Sequence, residues 1–145
     1  MNKKSTYKEG DLILIALSNG KYAICKIIFK PIGRLKQVVG LTILAVQDEI
    51  NLSLIDNKHF IEIEVNSKNS KCIFTGNQNL KNGEWAIVSE SKLTALEKSM
   101  QWFIYANHLY HQEEFIRNAN EEDYKIYPTL SVMGFVLFDN LLKEL

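Results

Sequence analysis

The chain reads as an α+β fold: a strongly curved antiparallel β-sheet, or partly closed barrel, with a C-terminal helix packed on it. Three observations predict this. The first part of the chain is a series of β-branched, apolar runs separated by turn residues, the pattern of long antiparallel strands. Gly40 falls inside the third run, where a glycine favours a bulge or a sharp bend. Near the end the spacing changes, and Leu130, Met133, Val136, Leu137, Leu141 and Leu145 recur at helical intervals.

The strand signal is clearest between Glu9 and Phe29, where two apolar runs flank Asn19-Gly20. That dipeptide accepts the positive φ values of a type I′ turn, so a two-residue hairpin is expected. Its register would set Leu17 opposite Tyr22, Ile15 opposite Ile24 and Leu12 opposite Ile27. One face would then carry Leu12, Leu14, Ala16, Ala23, Cys25, Ile27 and Phe29. The other would carry Ile13, Ile15, Leu17, Tyr22, Ile24 and Lys26. Both faces are apolar enough to demand cover, which the C-terminal helix would give on one side.

Pro31-Ile32-Gly33 ends the second run, because proline cannot donate to a ladder. Lys36 to Gln47 resumes as a third strand. Alternation from Phe60 to Val65 predicts a strand with one wet face, and the polar residues 66–71 predict a loop. Cys72-Ile73-Phe74 and Trp85 to Val88 read as further short strands, with Trp85 as core. Thr94-Ala95-Leu96-Glu97 has the form of a capping box opening a short helix. Met100 to Tyr105 suggests a strand, whereas His108 to Asn118 fits either a strand pair around a turn or one helical stripe. Thr129, following Pro128, is the expected N-cap of the last helix, which would begin near Leu130.

A single domain spanning residues 1–145 is expected, long enough for a sizeable core. Hydrophobic residues make up 46% of the chain and charged ones 23%, an ordinary globular balance. Net charge is zero, which disfavours a general nucleic-acid binder. The charge is unevenly spread: residues 1–47 hold eight basic residues and two acids, residues 48–145 nine and fifteen. Cys25 and Cys72 make no disulfide framework. No signal-type apolar segment follows the basic N-terminus, and no run is long enough to span a membrane. A cytoplasmic location is therefore expected.

Gly10-Asp11, the alternating apolars after it, and Leu17-Ser18-Asn19-Gly20-Lys21-Tyr22-Ala23 with Cys25-Lys26-Ile27 resemble the opening of bacterial immunity proteins of the Imm26 type. Leu80-Lys81-Asn82-Gly83-Glu84-Trp85 is similar to that family's L-x-x-G-x-W strand entry. The resemblance covers roughly residues 8–90. It implies a small cytosolic antidote that neutralises a cognate toxin, encoded beside it, by stoichiometric binding, and it brings no catalytic residue and no cofactor.

The residues themselves nominate two surfaces. Glu113, Glu114, Glu121, Glu122 and Asp123 crowd into one short stretch with Tyr124 and Tyr127 beside them. Such an acidic, aromatic-flanked patch suits a basic cleft on a partner protein. The alternative is a small β-barrel module binding nucleic acid or a small ligand through Lys26, Lys30, Arg34 and Lys36, a basic strand face near aromatics. His108 and His111 would offer two metal ligands only on a helix, and no second His/Cys cluster completes a site, so no metal is expected. No nucleophile elbow, phosphate loop or Cys-x-x-Cys occurs, and an enzyme is not expected.

Overall fold

A computed structural model of the protein describes residues 6–55, 60–65 and 68–145. The polar stretches 56–59 and 66–67, which fall in the expected loops, lie outside the described residues, as do residues 1–5. The fold is α+β, mostly sheet, with a helix near the C-terminus. In chain order the elements are β1 (Leu12–Ala16), β2 (Tyr22–Phe29), β3 (Val38–Gln47), a 3-10 turn (Leu52–Leu54), β4 (Ile63–Val65), β5 (Lys68–Ser70) and β6 (Ile73–Gly76). There follow α1 (Gln78–Lys81), β7 (Ala86–Ser89), α2 (Ala95–Ser99), β8 (Trp102–Tyr105), β9 (His108–His111), β10 (Glu114–Asn118), α3 (Glu121–Ile126), β11 (Val132–Met133) and α4 (Phe135–Lys143).

Six strands pair in the order β11-β6-β3-β2-β1-β7. All neighbours are antiparallel except β11 and β6. The order is linear, with β11 and β7 as edges, so the sheet is open, and neither the expected strong curl nor the barrel closure is found among the described residues. Strands β8, β9 and β10 form a second sheet, and β4, in the expected strand, pairs with β5, which falls where a plain loop was expected.

The first hairpin forms, but one residue out of the expected register. Ala16 faces Tyr22, Ile15 faces Ala23, and Leu12 faces Lys26. The Leu17 N–H donates to the Lys21 carbonyl (2.9 Å) and the Gly20 N–H to the Leu17 carbonyl (3.1 Å). Among the loop residues Ser18-Asn19-Gly20, only Gly20 has positive φ, +86°. This is the three-residue connection, a turn closed by a left-handed glycine bulge, rather than a type I′ turn. A one-residue slip exchanges the faces of β1 relative to β2. Ile13, Ile15 and Leu17 therefore join Ala23, Cys25 and Ile27 in one core.

Phe138 and Leu142 of α4 and Trp85 belong to that core. Trp85 meets Phe135 and Phe138 edge-on, with ring centroids 5.5 and 5.9 Å apart. The helix thus covers one face of the sheet as expected, but starts later than the spacing suggested. Its N-cap is Gly134, not Thr129. Residues 128–133 are extended instead because both sheets recruit their backbone. The Ile104 N–H donates to the Pro128 carbonyl and the Leu130 N–H to the Ile104 carbonyl, both at 2.8 Å. Immediately afterwards Val132 and Met133 pair in parallel with Phe74 and Thr75.

The second core gathers Ile28, Phe29, Val38, Cys72, Phe74, Phe103 and Leu130. A bulge in β2 between Ile27 and Phe29 supplies two consecutive side chains to it. Gly40 lies opposite, and a Cβ there would come within 3.0 Å of the Phe29 Cβ and 3.1 Å of the Cys72 sulfur. The expected irregularity is real, but the extra residue is in the partner strand. Both cysteines are free and buried, and burial pushes each thiol up to about 12.

One ion pair is wholly inside. Lys26 is 2% exposed, and its Nζ donates to Glu97 Oε1 (2.7 Å) and to the Lys92 carbonyl (3.1 Å). Glu97 also serves as the third residue of α2's capping box, as the Thr94-x-x-Glu spacing predicts. Its other oxygen, Oε2, has no hydrogen-bond partner among the described residues.

Candidate partner-binding surface

The second sheet is built by two tight turns. Tyr105 pairs with His108 across Ala106-Asn107, whose φ values are +52° and +66°. These are the φ signs of a type I′ turn. His111 pairs with Glu114 across Gln112-Glu113, where Gln112 has φ +56°. Strand geometry resolves the ambiguous stretch 108–118 as two strands.

The register lines up Phe103, Tyr110 and Phe115 across the three strands. Phe103 is fully buried and touches Phe29 and Phe74, with centroids 5.4 and 5.8 Å away. Tyr110 stacks on Phe103 at 5.5 Å, and Phe115 meets Tyr110 edge-on at 6.1 Å. This row runs from the second core to solvent, and Phe115 at its end is 52% exposed. All five residues of β10 are exposed, including Ile116 at 37%. Strand β10 is an edge of its sheet, with β9 its one partner among the described residues. On the opposite face Trp102 stacks between His111 (4.5 Å) and Tyr127 (5.6 Å).

Helix α3 turns the acidic run into structure. Asn120 caps it by accepting the Asp123 N–H, while the Asp123 carboxylate accepts the Asn120 N–H. Arg117 of β10 grips the same carboxylate with two bonds, Nε to Oδ2 at 3.1 Å and Nη2 to Oδ1 at 2.7 Å. Those bonds from Arg117, with the Asn120 N–H second, hold Asp123 below the usual carboxylate range despite its burial. Asp123 is 1% exposed, so it latches the helix to the strand and presents nothing to a partner.

Glu113 is likewise engaged: its two oxygens accept the N–H groups of Ile32 (2.7 Å) and Gly33 (2.8 Å), tying this sheet to the β2–β3 loop. Tyr124 donates its hydroxyl proton to Asn107 (2.6 Å), and the Lys68 ammonium sits 5.6 Å from its ring centre. Glu114, Glu121 and Glu122 are exposed, and Glu122 makes only a loose contact with Lys125 (3.5 Å). Of the seven residues nominated from sequence, these three carry carboxylates outward. The exposed apolar residues of β10, Phe115 and Ile116, were not among those nominated. Period-two alternation in 108–118, taken alone, would have placed Phe115 on a strand face.

His108 and His111 point to opposite faces of β9, as strand spacing requires. His108 Nδ1 lies 3.0 Å from Asn118 Oδ1, and no metal-ligating group is found among the described residues. The basic set is divided. Lys26 is buried against Glu97, Arg34 is exposed on the β2–β3 loop, and Lys30 and Lys36 line a pocket together with Lys81, which the sequence reading had not included.

No family model, curated protein or solved structure matches this chain. The likeness to Imm26-type proteins therefore rests on the hairpin and Gly-x-Trp motifs quoted above. No helix among the described residues is long and apolar enough to cross a membrane.

Proposed function

We propose that this protein is an immunity protein that neutralises a cognate bacterial toxin by stoichiometric binding, without chemistry or cofactor, and that β10 with α3 is the contact surface. The observation that carries the choice of surface is that all five residues of the edge strand β10 are exposed. An unpaired edge strand that displays Phe115 and Ile116 is a liability for a free protein and an asset for one that meets a partner. Phe115 is braced from behind by Tyr110 and Phe103, so ordering it on binding costs little side-chain entropy. Glu114 in β10 and Glu121 and Glu122 in α3, which Asp123 ties to Arg117 of β10, are exposed carboxylates; such charge speeds encounter with a basic cleft and fixes orientation.

The test is co-expression with the product of the adjacent gene. A co-purifying complex with restored growth supports the reading. Phe115→Asp and Glu121→Lys, each as stable as the parent, should then abolish rescue. If both variants still rescue fully, the contact surface lies elsewhere; if no complex forms with the unaltered chain, the antidote reading itself fails.

The second reading, a module that binds a nucleic acid or small ligand, is favoured by one observation, the pocket shared by Lys30, Lys36 and Lys81.

A further inference from the structure

The β2–β3 loop, the strap before β1 and the start of α1 converge on a surface pocket of about 520 Å³. Three lysines, Lys30, Lys36 and Lys81, line it with Tyr7, Ile32 and Asn77, and no carboxylate among the described residues does. Three ammonium groups around one concavity repel one another, and nothing in the lining offsets them. Glu9 accepts the backbone N–H of Lys30 (3.0 Å) but lines a different pocket. Neither Lys36 nor Lys81 has a carboxylate within 4.0 Å among the described residues.

The lysines are held in place by their surroundings. Asn77 is buried, and its amide donates to the Tyr7 hydroxyl and to the Lys36 carbonyl, both at 2.9 Å. Its own carbonyl accepts the Lys81 N–H (3.1 Å). The Asn77 side chain thereby holds the Lys36 backbone and the ring that underlies Lys30, and its backbone carbonyl holds Lys81. Lys30 Nζ sits 4.5 Å from the centre of the Tyr7 ring and donates to the Tyr7 carbonyl (2.6 Å), which leaves it two further donors. Pro31 and Ile32 add an apolar wall.

We infer that this pocket binds a small ligand carrying several phosphates, with Lys30, Lys36 and Lys81 on the phosphate oxygens. Its volume suits a nucleotide-sized molecule rather than an extended strand. The inference is independent of the partner surface, because it needs no residue of β10 or α3.

Isothermal titration of the full chain with inorganic tripolyphosphate at low salt tests it. One-to-one binding is expected, weakened about tenfold or more by Lys36→Gln and by Lys81→Gln, the worth of a hydrogen bond to a charged group. Lys21→Gln, on the first hairpin and away from the pocket, should leave it unchanged. Lys36 and Lys81 are exposed, so unaltered melting temperatures should accompany the loss. ATP binding tighter than tripolyphosphate would assign the apolar wall to a base; equal affinity would assign the site to the phosphate chain alone. No binding at low salt, equal weakening by Lys21→Gln, or affinity that appears only with oligonucleotides and grows with their length would each overturn the proposal.

Discussion

The two hairpins of this molecule answer the same question in opposite ways. The β1–β2 hairpin carries Asn19-Gly20, the dipeptide best suited to a type I′ turn, yet closes through three residues with only Gly20 left-handed. The β8–β9 hairpin carries Ala106-Asn107, a poor sequence for that turn, and adopts it. The difference lies in what each hairpin must bury. Strand β2 is buried on both faces and β1 chiefly on one, so the core chooses the register that sends Ile13, Ile15 and Leu17 toward α4, and the turn follows. In the smaller sheet the aromatic row Phe103-Tyr110-Phe115 needs equal strand lengths, and Ala106 accepts a left-handed conformation to provide them. Packing overrules local preference in both places.

The largest effects should come from the heavily packed sheet. Removing the Glu97 side chain with Glu97→Ala leaves the Lys26 ammonium buried and unpaired, a loss of about 3–5 kcal/mol in denaturant unfolding. Replacing both partners, Lys26→Met with Glu97→Leu, should recover most of that loss. A double variant as unstable as the single one would mean the pair positions α2 as well as neutralising charge. Trp85→Ala removes the ring against which Phe135 and Phe138 pack, at a similar cost of about 3–5 kcal/mol. A variant as stable as the parent would place the grip of α4 in Phe138 and Leu142 alone.

In the smaller sheet the expected changes are more modest. Ala106→Gly relieves a left-handed alanine and should raise stability by about 1 kcal/mol. A fall instead would show that the strain at this turn is too small to outweigh the backbone entropy that glycine adds to the unfolded chain. Phe115→Ser should change stability by about 0.5 kcal/mol or less, as its ring is half in water. A larger loss would make the aromatic row a core element and weaken its assignment as a contact surface.

The smallest effect is a titration. Because Arg117 lowers the folded pKa of Asp123, its latch contributes fully above the ordinary carboxylate value of about 3.9 and is lost as pH falls through the lower folded value. Arg117→Gln should move Asp123 back toward that ordinary value in an NMR titration of its carboxyl carbon. An unmoved midpoint would transfer the effect to the Asn120 N–H.

Features carried by neighbouring residues were legible in the sequence, and features set by distant ones were not. The Thr94–Glu97 capping box, the buried Trp85 and the covering C-terminal helix were all readable because each is a local spacing or a plain apolar excess. The equivalent Asn120–Asp123 box was present too, but the surrounding acids made it look like a charged surface. Register in β1–β2 was not readable, since either face of β1 is apolar enough to be the inner one. The late start of α4 depended on two sheets competing for residues 128–133. Lys81 meets Lys30 and Lys36 at a pocket beside Asn77, a buried amide whose side-chain partners Tyr7 and Lys36 are remote in sequence.

That shared stretch, 128–133, has a mechanical consequence. It is laced to β8 at one end and to β6 at the other, so the smaller sheet cannot lift away without unzipping one of these backbone pairings. Force applied at β10 would be carried along this seam into the larger sheet.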